Sequence, residues 1–158
     1  MNTEFNSYIE TLTPSKKMVA MEALGVYLKG EGSGTNKCSS AIDIWKMTRY
    51  LEMEREEHMV VILVKKNFNV IKTVEVSKGG LDHTIVDNRV ILREALLADA
   101  TQIALVHNHP SGSVRPSAED MKITEVVKKS CDIFNIRLID HVIIGEQCYY
   151  SFMEEGLL

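Results

Sequence analysis

Residues 102–120 read QIALVHNHPSGSVRPSAED, and this stretch organises the rest of the chain. Gln102 to Val106 is a short apolar run of the kind found in a strand buried on both faces. It leads directly into His107-Asn108-His109-Pro110. A loop punctuated by Gly112 and Pro116 follows, and Ser117 then opens a helical pattern that runs to about Phe134, with Ile123, Val127, Cys131 and Phe134 on one stripe. Strand, loop and helix in that order are the unit of a layered α/β fold. In extended backbone, residues i and i+2 project to one face, so His107 and His109 point together with their Cα atoms about 6.5–7 Å apart. Pro110 favours an extended conformation at His109 and preserves that geometry. Two imidazoles at the end of a buried strand suit a metal ion. A third ligand, a carboxylate, would complete a catalytic zinc set and leave one position for water. Asp120 is the candidate, carried back over the strand end by the proline-bounded loop. Ser117-Ala118-Glu119-Asp120 also reads as a helix-capping box, with Ser117 as cap and Asp120 at the third helical position. The two readings are compatible.

The flanking sequence extends the same architecture. Pro14 and the spacing of Met18, Met21, Ala23, Leu24 and Leu28 predict a helix over 14–29. The Gly- and Ser-rich stretch 30–36 reads as a linker, so the expected units are 1–37 and 38–158. Ser39 or Ser40 can cap a helix reaching about Leu51. Met59 to Val64 is a second buried strand, Asn67-Phe68-Asn69 a turn, and Val70 to Val76 its partner. Gly79-Gly80 breaks the chain before a short strand over Leu81 to Val86, and Asp87 caps a helix through Leu97. Ile136 to Ile144 and Tyr149 to Phe152 are strands joined by a turn at Gly145-Glu146-Gln147. The expectation is a mixed α/β layer fold.

Composition removes several function classes. Hydrophobic residues make up 45% of the 158, enough for one domain with a packed core. Eighteen basic residues against 22 acidic ones leave a formal charge of −4, which lacks the basic surface of a nucleic-acid binder. Weak DNA binding, or none, is expected. Cys38, Cys131 and Cys148 are odd in number and share no metal-ligand spacing, so a disulfide scaffold and a cysteine zinc site are both disfavoured, and a reducing, cytoplasmic setting is expected. The N-terminal residues lack the apolar core of a signal peptide, and no apolar run is long enough to span a membrane. Neither the His-Glu-x-x-His helix of many metalloproteases nor the paired signatures of zinc deaminases occur.

His-x-His-Pro, six residues, then Ser-x-x-Asp matches the JAMM motif, also called the JAB or MPN-plus motif. The surrounding words are narrower. EEHMVVILV, VSKGG, ALVHNHPSG, PSAEDMKIT, LIDHVIIG and YYSFMEEGLL resemble the RadC family of bacterial proteins over about residues 38–158. The resemblance implies a three-layer α/β/α sandwich with a mixed sheet and a cytidine deaminase-like core. It implies a zinc-dependent hydrolase acting on peptide or isopeptide bonds. By the same resemblance His107, His109 and Asp120 are the zinc ligands, and Ser117 donates to the oxyanion. An acidic residue ahead of the first core strand is the general base. Ungapped alignment through Val60 to Ile71 selects Glu57, and a one-residue slip would select Glu56. Glu54 is read as a solvated helix end. Asp140 and His141 form a recurring family word and are candidates to support the ligands from behind. Hydrogen bonding within their strand is the equal alternative. His58 and His83 carry no motif and are read as structural or exposed. Full-length members begin with a helix-hairpin-helix region associated with DNA, of which residues 1–37 resemble at most the last helix. A role in DNA repair is therefore the alternative function, and a zinc-stabilised scaffold without catalysis the third. Substrate identity and oligomeric state are not legible.

Overall fold

The computed structural model describes residues 37–79 and 86–158. The helix expected over 14–29, the linker 30–36 and all of the strand expected over 81–86 except Val86 lie outside those residues, as does His83. The described elements are α1 (Ala41–Thr48), a 3-10 turn (Arg49–Met53), β1 (His58–Val64), β2 (Val70–Lys78), α2 (Asn88–Leu97), β3 (Gln102–Asn108), α3 (Ala118–Ile133), β4 (Arg137–Gly145) and β5 (Cys148–Ser151).

The five strands form one mixed sheet in the order β2-β1-β3-β4-β5. β1 runs antiparallel to both β2 and β3, β3 and β4 are parallel, and β5 returns antiparallel to β4. Every residue of β1 and of β3 is buried, as their unbroken apolar runs require. Met59, Val61 and Leu63 join Ile103 and Leu105 beneath α2 and α3, which contribute Ile91, Ala95, Val127 and Cys131. Val60, Ile62 and Val64 face the other way, onto Ile44 of α1 and Leu51 of the 3-10 turn. Helices therefore cover both faces, and the fold is the expected three-layer α/β/α sandwich with a mixed sheet. β2, outermost on its side among the described strands, mixes half-buried and exposed positions.

The helix ends depart from expectation in instructive ways. Ser40, not Ser39, caps α1 by accepting from the Asp43 N–H, while Ser39 donates to the Asp43 carboxylate. The α-helix stops at Thr48, and the chain tightens into the 3-10 turn rather than continuing to Leu51, closing with Glu54 N–H on the Leu51 carbonyl. Phe134 is a correction, because it is 47% exposed instead of completing the buried stripe. The cause is the helix terminus. Asn135 takes a left-handed φ of 55°, and the N–H groups of Asn135 and Ile136 bond the carbonyls of Asp132 and Cys131. That is a Schellman ending, which swings Phe134 outward and delivers buried Ile136 to the start of β4. Asp99 (φ 49°) ends α2 in the same manner and delivers Ala100 to β3. β5 begins at Cys148, one residue early, and Phe152 is buried just past its end. All three cysteines are free. Among the described residues no helix is long and apolar enough to cross a membrane.

Candidate metal centre

His107 is the penultimate residue of β3, and its side chain lies on the α2/α3 face because it follows Ile103 and Leu105 at intervals of two. It is fully buried, whereas His109 is half-buried. The loop after β3 is tied down by the His109 N–H on the Ile144 carbonyl (3.0 Å) and by the Gly112 N–H on the His109 carbonyl (2.9 Å). Gly145 makes the close approach possible, since a Cβ there would sit 2.5 Å from both the Gly112 oxygen and Val114 Cγ1. Pro116 then leads into Ser117, whose side chain accepts from the Asp120 N–H while the Asp120 carboxylate accepts the Ser117 N–H. The capping box thus forms, and it holds Asp120, itself buried, against both histidines.

One ligand atom from each of His107, His109 and Asp120 lies within 4.8 Å of the others. His107 Nε2 is 2.9 Å from His109 Nε2 and 3.0 Å from Asp120 Oδ1. His109 Nε2 is 3.4 Å from Asp120 Oδ2. Ligand atoms of a tetrahedral zinc with bonds of about 2.0–2.1 Å stand about 3.3 Å apart, so the set fits zinc to within a few tenths of an ångström. The donor chemistry agrees. His109 Nδ1 donates to the Ser113 carbonyl at 2.7 Å, which leaves the Nε2 lone pair aimed at the cluster. Asp120 Oδ2 accepts both the N–H and the hydroxyl of Ser117 at 2.7 Å, which leaves Oδ1 for a cation. Without a cation, protons fill the gap. Hydrogen bonding to Asp120 raises the pKa of His109. Burial works to raise the Asp120 carboxyl, but the imidazole N–H groups of His107 and His109 hold it far below the usual carboxylate range. Proton and metal compete for the same lone pairs.

Glu57 reaches this place through strand alternation. Met59 pairs with His107 across β1 and β3, and Glu57, two residues earlier, shares its face. Glu57, Met59, Val86, His109, Ser117, Asp120, Ile123 and Val126 line a cleft of about 420 Å³. Glu56 turns away, its carboxylate lying against Gly79. His58 is structural, buried with Nδ1 2.8 Å from Glu75 and Nε2 3.6 Å from Glu54, which is thereby engaged rather than simply solvated.

Asp140 and His141 go to opposite faces. His141 Nε2 is 2.9 Å from His107 Nδ1, and its Nδ1 is 2.6 Å from Thr124 Oγ1. Complete burial pushes the pKa of His141 well below the ordinary imidazole value. Asp140 instead accepts from Ser151 Oγ (2.6 Å) and from the N–H groups of His141 (2.7 Å) and Met153 (3.1 Å), away from the cleft. Two residues escaped the sequence reading. Asn108, between the histidines, accepts from the His58 N–H (2.8 Å) and donates to the Glu56 carbonyl (3.0 Å), fastening the segment that carries Glu57 to β3. Its signal was a buried amide ending an apolar strand. Thr124 was visible only as a hydroxyl on an otherwise apolar helical stripe.

Two histidines at the end of a buried strand, one in β3 and one just past it, with a helix-borne aspartate beside a cleft that holds a glutamate, are what a JAB domain would present, and comparison with known sequences shows that class. The model of the RadC-like JAB domain matches residues 37–157, and the chain belongs to that family. It is 38% identical over 110 residues to a UPF0758 protein of Streptococcus gordonii, covering 70% of this chain and 49% of that one. It is 42% identical over 104 residues to a UPF0758 protein of Porphyromonas gingivalis, covering 65% and 46%. A UPF0758 protein of Pelodictyon phaeoclathratiforme is 34% identical over 143 residues, covering 90% and 64%. The chain spans about half the length of the first two relatives.

Proposed function

We propose that this protein is a zinc-dependent hydrolase of the JAMM type that cleaves a peptide or isopeptide bond. The observation that carries the reading is the convergence of His107 Nε2, His109 Nε2 and an Asp120 carboxylate oxygen within 4.8 Å, in a cleft that also holds Glu57. Bound in such a set, zinc supplies Lewis acidity and lowers the pKa of a coordinated water toward about 7. Glu57 takes the proton from the attacking water and returns it to the leaving amine. Ser117 gives its hydroxyl hydrogen, now on Asp120 Oδ2, to the developing oxyanion, while its oxygen keeps accepting from the Asp120 N–H. Met59, Val86, Ile123 and Val126 exclude water from one side of the cleft and favour an apolar group of the substrate. Residues 38–158 form the catalytic unit in this reading, which places it in the cytoplasm with a protein substrate and little affinity for DNA.

The test uses Glu57→Gln, which keeps the size of the side chain but cannot accept a proton. The purified variant is expected to hold zinc as the parent does and to lose turnover of peptide or isopeptide substrates by at least about 10²-fold, with Glu56→Gln close to the parent. An established activity untouched by Glu57→Gln would leave a zinc scaffold as the better account.

A further inference from the structure

Thr124 sits in the second turn of α3, buried, on the stripe that continues with Val127 and Cys131. A purely packing position there would take an apolar residue, because a mid-helix hydroxyl that bonds back to the preceding turn adds little to the helix. Its single hydrogen is committed: Thr124 Oγ1 donates to the backbone oxygen of Asp120 at 2.5 Å. Only a lone pair remains for His141 Nδ1, 2.6 Å away, so that nitrogen carries the hydrogen. A neutral His141 then presents a bare Nε2 to His107 Nδ1 at 2.9 Å. His107 then donates from Nδ1, and its Nε2, which faces His109 and Asp120, is the atom left to meet a metal.

We propose that Thr124 is a positioning residue that acts through His141 to hold His107 in the Nδ1–H tautomer required for ligation through Nε2. The same hydroxyl ties the backbone of Asp120, so one side chain aligns the strand-borne and the helix-borne donors. The proposal rests on the metal-centre reading, because without a metal the Asp120 carboxylate, 3.0 Å away, draws a hydrogen onto His107 Nε2, so the chain is a property of the zinc-loaded protein.

Two measurements test it. The first is the tautomeric state of His107 and His141 by ¹⁵N NMR of zinc-loaded protein, where both rings are expected to carry their hydrogen on Nδ1 in the parent. His141 found with its hydrogen on Nε2 overturns the chain. The second is zinc affinity by competition with a chelator in Thr124→Val and Thr124→Ser. Loss of the hydroxyl in the near-isosteric valine is expected to weaken zinc binding by roughly 10–100-fold, and serine to restore most of it. Equal affinity of parent and Thr124→Val, or equal weakness of Val and Ser, removes the hydroxyl from the account. A parent that binds no zinc would sink the metal reading itself, whereas a zinc-binding parent with the His141 hydrogen on Nε2 would sink the relay and leave the metal reading standing.

Discussion

On the α3 side of β4, His141 joins a buried cluster with His107, Thr124 and Asp120. On the α1 side, its neighbour Asp140 joins another with Ser151 and Met153. Both hold polar groups with little access to water, and both are knit by short hydrogen bonds. The Asp140 cluster is complete: three donors meet one carboxylate, and the result pins β5 and the turn after it onto β4. The His107 cluster is closed by protons alone, held among His107 Nε2, His109 Nε2 and the Asp120 carboxylate where these converge on its centre. A buried polar group costs free energy unless paired, so the first arrangement is finished, while the second could hold a metal in place of its protons.

The largest effect that separates the two clusters comes from deleting a ligand. His107→Ala, His109→Ala or Asp120→Ala is expected to take zinc from about one per chain to nearly none, measured by atomic emission after gel filtration. Asp140→Ala should leave zinc in place. Full zinc content in Asp120→Ala would reduce Asp120 to its role in the capping box. Next in size is Ser117→Ala, which removes a cap contact worth about 0.5–2 kcal/mol of stability and an oxyanion donor worth about 2.7–4 kcal/mol at the transition state. Turnover is expected to fall by more than the denaturation midpoint can explain, and an unchanged rate on an accepted substrate ends the oxyanion role.

The smallest effects probe the completed cluster. Asp140→Ala strands the donors of Ser151 and Met153 and is expected to cost about 1–3 kcal/mol in urea unfolding. Asp140→Asn, which can still accept both N–H groups, should cost less. The pair also differs from the parent in pH dependence. Burial raises the Asp140 carboxyl above its ordinary value, so the folded parent holds this proton more tightly than the unfolded chain. The associated stability is fully present below the ordinary carboxylate pKa of about 3.9 and is lost as pH rises through the raised folded value. Asp140→Asn has no such titration, and its stability relative to the parent should improve across that window. A relative stability that does not change with pH there would show that Asp140 is not perturbed.

Much of this was legible in the residues. The apolar runs of β1 and β3 could only be strands covered on both faces, and Asp87 and Ser117 mark helix starts through chemistry local to a few residues. His107, His109, Asp120 and Glu57 are candidates by spacing and resemblance alone. The ends of α1 and α3 were less legible, since a 3-10 turn and a left-handed Asn135 respond to where the chain must go next. Asn108 and Thr124 could not be assigned, because their partners are 50 and 17 residues away.

The division is clearest at Asp140 and His141. From its residues alone, β4 reads as a buried strand carrying an acid and an imidazole side by side, which strict alternation must send to opposite faces. It could not say which residue meets the histidines of β3. Counting by twos from Leu138, which packs beneath α2 and α3, would turn Asp140 to that face. The β3–β4 register, however, slips between Ile103↔Leu138 and Ala104↔Asp140, so Ile139 is an extra residue and the parity reverses beyond it. A bulge of this kind re-aims every later side chain. It exists only in the pairing of two strands, which is why the tertiary structure, and not the local sequence, decided that His141 stands behind His107.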